Sequence, residues 1–121
     1  MKDEGQLEHL RELLEPLGRI ALRPMFGGHG VYCDGLFFAI VIDGRIHLKV
    51  DGESRGQFEA AGCAPFVYQG KGEPITMSYW SVPEQAMDSS EDMRPWAQLA
   101  LAAAGRKPAA RKRSTRLKPG R

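Results

Sequence analysis

Three short separators, Gly27-Gly28, Asp34-Gly35 and Asp43-Gly44, divide residues 20–50 into four apolar runs, and this ladder constrains the fold more than any other feature. Asp and Gly tolerate the positive φ that both central positions of a two-residue hairpin turn require, so each separator predicts a tight reversal. The runs Ile20 to Phe26, Val31 to Cys33, Leu36 to Ile42 and Ile46 to Val50 then read as an antiparallel meander. Leu36 to Ile42 is apolar at every position, which predicts a central strand covered on both faces. Ile46, Leu48 and Val50 alternate with His47 and Lys49, which predicts a one-sided strand nearer an edge.

Helices flank the meander. Leu7, Leu10, Leu14 and Leu17 recur at three and four residues with Glu8, Glu12 and Glu15 between them, an amphipathic helix ended by Pro16 and Gly18. Glu53 to Ala61 reads as a short helix with Phe58 inward and Gly62 as its stop. Pro65 to Tyr68 and Ile75 to Val82 are further extended segments around the polar loop 69–74. Ser89 or Ser90 caps a closing helix with Glu91 and Asp92 in its first turn, where the helix dipole favours acids. Its buried stripe is Met93, Trp96, Ala100 and Ala103, and Gly105 ends it. Pro95 lacks a backbone donor, which predicts a kink or a later start. The expected architecture is an α+β two-layer sandwich: an antiparallel meander sheet packed against N-terminal, middle and C-terminal helices.

At 121 residues with 42% apolar content, the sequence is expected to hold one small domain. No run approaches the roughly 18 apolar residues of a membrane span, and Met-Lys-Asp-Glu-Gly at the start lacks the apolar region of a signal peptide. The expectation is a cytoplasmic protein without a membrane partner. Cys33 and Cys63 are too few for a disulfide framework and are expected to be small buried fillers.

Charge is divided along the chain. Residues 1–105 carry nine Lys or Arg against all fifteen acids, a net of −6, whereas the last sixteen residues carry eight cations and no acid. The segment 106–121 has Leu117 as its one large aliphatic, so it is expected to be a disordered basic tail beside a folded domain of residues 1–105. Its cations, Arg106, Lys107, Arg111, Lys112, Arg113, Arg116, Lys118 and Arg121, would attract nucleic acid electrostatically and without base specificity. Aromatic residues that stack on bases are absent from it.

The chemistry-bearing residues do not assemble into a known catalytic pattern. Gly27-Gly28-His29-Gly30 lacks the Lys-Ser/Thr of a phosphate-binding loop and runs into a strand, so the glycines read as a tight connection. His29, Cys33, His47 and Cys63 contain no CxxC or HxxxH pair, and no metal or cofactor is expected. His9, His29 and His47 are not brought near a nucleophile by any motif, so no catalytic residue is assigned. Arg23 and Pro24 interrupt an apolar run, which predicts an edge strand or a bulge where Arg23, Met25 and Phe26 could meet a partner. Tyr79 and Trp80 are strand neighbours that point to opposite faces, so one belongs to the core and the other is a candidate contact.

The stretch from Arg23 to Tyr32, with Met77-Ser78-Tyr79-Trp80 and a C-terminal helix containing Trp96, resembles the N-terminal domain of the TfoX/Sxy regulators of natural competence over residues 3–105. The resemblance implies an α+β fold of the kind grouped with secretion chaperones. It also implies regulators in which a helical second domain follows and which act with a cyclic-AMP receptor protein to switch on DNA-uptake genes. In this sequence the basic segment stands where that domain would follow. The family motif supplies no catalytic residue. Two functional readings follow. One is a non-enzymatic interaction module, a transcriptional accessory with a protein partner in the transcription machinery and non-specific nucleic-acid affinity from its tail. The other is a small-ligand sensor or cryptic enzyme with a pocket beside Arg23, His29 and Tyr79. A homodimer on the exposed strand edge is compatible with either.

Overall fold

A computed structural model describes residues 2–25, 27–69 and 72–106. The chain runs α1 (Lys2–Leu14), β1 (Ile20–Met25), β2 (Gly28–Cys33), β3 (Leu36–Ile42), β4 (Arg45–Lys49), α2 (Arg55–Ala60), β5 (Pro65–Tyr68), β6 (Ile75–Trp80) and α3 (Ser90–Gly105), with single 3-10 turns after α1 and before α3. All strand pairs are antiparallel, in the order β1-β2-β3-β4-β6-β5.

The turn chemistry acts as the residues predict. Asp34 and Gly35 sit at φ 50° and 85°, Asp43 and Gly44 at 54° and 77°, the left-handed pairs that match strand twist. Gly28 already pairs with Met25 as the first residue of β2, so the Gly27-Gly28 pair straddles the end of its turn. A Cβ on Gly28 would run into the Val41 carbonyl oxygen, and close approach between strands is what demands glycine there. Pro24 lies on β1, an outer strand of the sheet, where a missing donor costs no internal ladder bond.

Strand β4 departs from expectation. It lies inside the sheet between β3 and β6 rather than near an edge. Its alternation is real, with Ile46 and Leu48 buried and His47 and Lys49 half-buried, but one-sidedness reports a missing helix layer, not a missing neighbouring strand. The inner neighbour β6 arrives from 26 or more positions further on, pairing Leu48 with Trp80, which local pattern does not show.

The three described helices all contribute to one core against a single face of the sheet. Leu10, Leu13 and Leu14 of α1, Phe58 of α2, and Met93, Ala97 and Ala100 of α3 meet Ile20, Val31, Phe38, Val41, Leu48 and Trp80. The small residues of α3 let its axis approach β3 and β4 closely. Phe58 is fully enclosed, edge-on to Trp80 (ring centroids 6.5 Å) and to Trp96 (5.1 Å). The cap of α3 is Ser89, whose hydroxyl accepts from the Asp92 amide at 3.1 Å. The helix runs from Ser90 through Pro95, so the proline does not delay its start. Trp96 is half-buried and Ala97 joins the buried stripe.

Candidate functional site

Among the described residues no helix covers the second face of the sheet, and its character is decided by one extra residue. Val31 pairs with Ala39 but Tyr32 pairs with Phe37, so Phe38 is a bulge in β3. A bulge reverses the inward and outward alternation. Phe38, Ala39 and Val41 therefore all belong to the helix-covered core, while Phe37, Ile40 and Ile42 share the open face. The uninterrupted apolar run of β3 therefore does not report a covering layer on each face, as the sequence pattern predicted: helices cover one face, and on the other Phe37, Ile40 and Ile42 line an open groove.

On that open face lies a groove of about 300 Å³ lined by Met25, Phe37, Ile40, Ile42, Phe66, Tyr68, Met77 and Tyr79. A ring row crosses it, Tyr32 to Phe37 at 5.1 Å and Phe37 to Tyr79 at 5.7 Å. Gly30 makes room for this packing, since a Cβ there would sit 2.7 Å from Met25 Sδ and 2.9 Å from Phe37. Cations stand at both ends of the row: the Arg23 guanidinium 5.6 Å from the Tyr32 centroid, and Lys49 Nζ 5.2 Å from that of Tyr79. Lys49 also donates to Ser78 Oγ at 2.8 Å. His47 meets Phe66 edge-on at 5.2 Å, and burial pushes its pKa down, with the Arg45 charge adding to that and a hydrogen bond to the Arg45 carbonyl opposing it. The imidazole is thus neutral near pH 7, and the positive charge comes from Arg23, Arg45 and Lys49. Burial, then proximity to Tyr32, raises the Tyr79 pKa, so its hydroxyl stays protonated.

The residues singled out from sequence divide unequally. Arg23 and Tyr79 lie on the open face. Trp80 does not: it is 8% exposed in the helix-covered core, the opposite side to Tyr79 as strand alternation requires. Phe26 lies outside the described residues, as do seven of the eight tail cations. The eighth, Arg106, follows α3 as its cap and holds Asp51 with two hydrogen bonds, Nε to Oδ2 at 2.6 Å and Nη2 to Oδ1 at 2.9 Å. Its guanidinium is thereby committed to a carboxylate and is not a free phosphate ligand. Asp51 Oδ1 also accepts from the Glu53 and Ser54 amides at the entrance to α2. The Arg106 hydrogen bonds, helped by those from Ser54, hold the Asp51 carboxyl down at about 2.

His29 is not joined to Arg23 and Tyr79. It pairs with Pro24 and Val41 and lines shallow pockets against α1, on the other side of the sheet. His9 sits on α1, with Nε2 3.2 Å from the Met87 carbonyl oxygen. Cys33 is buried and Cys63 half-buried, and burial pushes both thiols up, away from nucleophilic thiolate. Among the described residues no group of three His, Cys, Asp or Glu side chains could hold a metal. No described helix is long and apolar enough to cross a membrane. Sequence reasoning missed Tyr32, Phe37, Phe66 and Met77. The signal for Phe37 was the Phe-Phe pair itself, because neighbours on a strand cannot both enter one core unless a bulge intervenes.

The family model of the TfoX N-terminal domain matches residues 12–104. The chain belongs to the TfoX N-terminal domain family. A relative, the DNA transformation protein TfoX1 of Aliivibrio fischeri (strain ATCC 700601 / ES114), is 35% identical over 85 residues, covering 67% of this chain and 41% of the relative. The chain thus matches less than half the length of that curated relative. This TfoX N-terminal domain places its open aromatic face and its helix-covered core on opposite sides of a single sheet.

Proposed function

We propose that this TfoX-type chain is a non-enzymatic interaction module in the regulation of DNA transformation, and that the sheet face which no described helix covers is the docking surface for a protein partner. The observation that carries the reading is the groove with its row of Tyr32, Phe37 and Tyr79. Aromatic and methionine side chains on an exposed concavity are the composition of partner-binding surfaces, whereas single apolar residues scattered on a surface have no such meaning. The separation of the three histidines and the raised thiols speak for binding rather than covalent chemistry. The relative's name supports a role in transformation. Residues 107–121 add non-specific electrostatic attraction for nucleic acid through their seven cations.

The test is genetic and uses the full chain. Deleting its gene in the organism that carries it should lower transformation frequency and the transcripts of DNA-uptake genes. Wild type should restore both, and Tyr79→Asp, checked for retained folding by circular dichroism, should not. Full rescue by Tyr79→Asp would remove the open face from the mechanism. Unchanged uptake transcripts on deletion would remove the transformation role. For the tail, a full-length variant with the seven cations of residues 107–121 replaced by serine should lose the steep salt dependence of binding to a random DNA duplex.

A further inference from the structure

We infer that the occupant of the open-face groove is an acidic protein segment that inserts one or two large apolar side chains. The inference rests on the docking reading above and names the chemistry of the partner. Two properties of the groove select it. The first is charge. None of the eight lining residues is acidic, Arg23 and Lys49 bracket the ring row, and Arg45 is close enough to His47 to lower its pKa. The folded part otherwise carries an excess of acid, so this cluster of cations stands against the net charge of the domain. A partner with Asp or Glu at either side of its anchor is steered to this face and repelled elsewhere.

The second property is the lining itself. Met25, Met77, Ile40 and Ile42 make an apolar, adaptable floor, and among the described lining residues the side-chain hydrogen-bonding groups are the hydroxyls of Tyr68 and Tyr79. A volume of about 300 Å³ lies at the low end of ligand sites and suits a side chain or two. A single-stranded nucleic acid would also bring negative charge, and open sheet faces with aromatics do bind such strands. Here, though, cations already stand over Tyr32 and Tyr79, where stacking bases would lie, and the floor gives base edges almost nothing to pair with. An aliphatic or aromatic side chain loses nothing by entering it.

The experiment selects ligands from a random short-peptide display library against the full-length protein, then titrates the enriched peptides and, separately, an oligothymidine into protein carrying methyl-labelled methionine. Met25 and Met77 report on the groove; Met93, on the buried side of α3, is the internal control. The expected result is enrichment of Asp or Glu around large apolar residues. Those peptides should shift the Met25 and Met77 methyls but not Met93, and bind about tenfold more weakly to Arg23→Glu/Lys49→Glu. Enriched peptides without acids, affinity unchanged by the charge reversal, or peptides that leave Met25 and Met77 unmoved would each overturn it. So would oligothymidine shifting these methyls where peptides do not, which would assign the groove to nucleic acid. A failure of these arms with Tyr79→Asp still unable to restore transformation overturns the partner chemistry and leaves the docking face standing.

Discussion

The two faces of the sheet are built from similar side chains and hold them in opposite ways. On the helix-covered face, Phe38, Phe58 and Leu48 are fully enclosed, and Trp80 nearly so, by layers that arrive from three separate helices. On the open face, Phe37, Tyr79 and Phe66 are only half-buried, against one another and against the sheet, with Arg23 and Lys49 laid over the ring row. Aromatic content alone does not separate core from binding surface. What separates them is whether a second layer completes the burial, since stabilisation scales with area removed from water. Cost of truncation, charge and accessibility should differ between the faces for that one reason.

The largest effect should come from the covered face. Phe58→Ala removes a ring packed on Trp80 and Trp96 and is expected to destabilise the fold by about 3–5 kcal/mol, read as a lower urea midpoint. Phe37→Ala on the open face should cost only about 1 kcal/mol. Equal costs would break the comparison and make the open face a second core.

Glycines in β2 sharpen the contrast. Gly28→Ala confronts the Val41 carbonyl, a backbone group that cannot step aside, and is expected to cost roughly 2–3 kcal/mol. Gly30→Ala meets side chains rather than backbone, Met25 Sδ and the Phe37 ring closely and Tyr32 in ordinary contact, so it should leave stability within about 1 kcal/mol while displacing the Met25 methyl resonance. A crystal structure or methyl spectrum showing the groove unchanged in Gly30→Ala would contradict the role given to that glycine.

The Asp51–Arg106 pair is the control away from both faces. Its carboxyl is depressed from 3.8 to about 2 in the fold, so its contribution is full above about pH 4 and is lost as pH falls toward 2. With the Asp51 side chain 26% exposed, solvent screening limits that contribution to about 1–2 kcal/mol. Asp51→Asn should therefore lower the urea midpoint at pH 7, and the difference from wild type should shrink on acidification. A difference constant from pH 7 to pH 2.5 would show that Asp51 acts through geometry alone. The smallest effect belongs to Lys49→Gln, expected within about 0.5 kcal/mol in stability because it is a half-exposed cation, and visible only in partner binding.

Much of the fold was legible because its signals are local. The Asp-Gly pairs mark the tight turns through positive φ, the spacing of Leu7, Leu10 and Leu14 marks α1, and Ser89 marks the start of α3. The candidate site was half legible. Arg23 stands out as a charge in an apolar strand, and the Tyr79-Trp80 pair announces two faces, without saying which ring takes which. The Phe37-Phe38 pair likewise hints at two faces, but the bulge that decides which ring takes which, and which sets Tyr32 opposite Phe37, leaves no compositional mark. Arg106 was hidden for a different reason: composition groups it with the cations that follow, while its partner Asp51 lies 55 residues away.

By itself, the sequence determined where the chain reverses, which segments are helical or extended, and that an acidic domain is joined to a basic segment, because each of these depends on neighbours along the chain. The tertiary structure alone decided that β4 lies inside the sheet, that Trp80 rather than Tyr79 enters the core, and that Arg106 clamps Asp51. It also decided that the described helices all cover the same face and leave the other open. Those outcomes depend on long-range pairing and on which surfaces three helices can cover at once, and neither is written in any single stretch of residues.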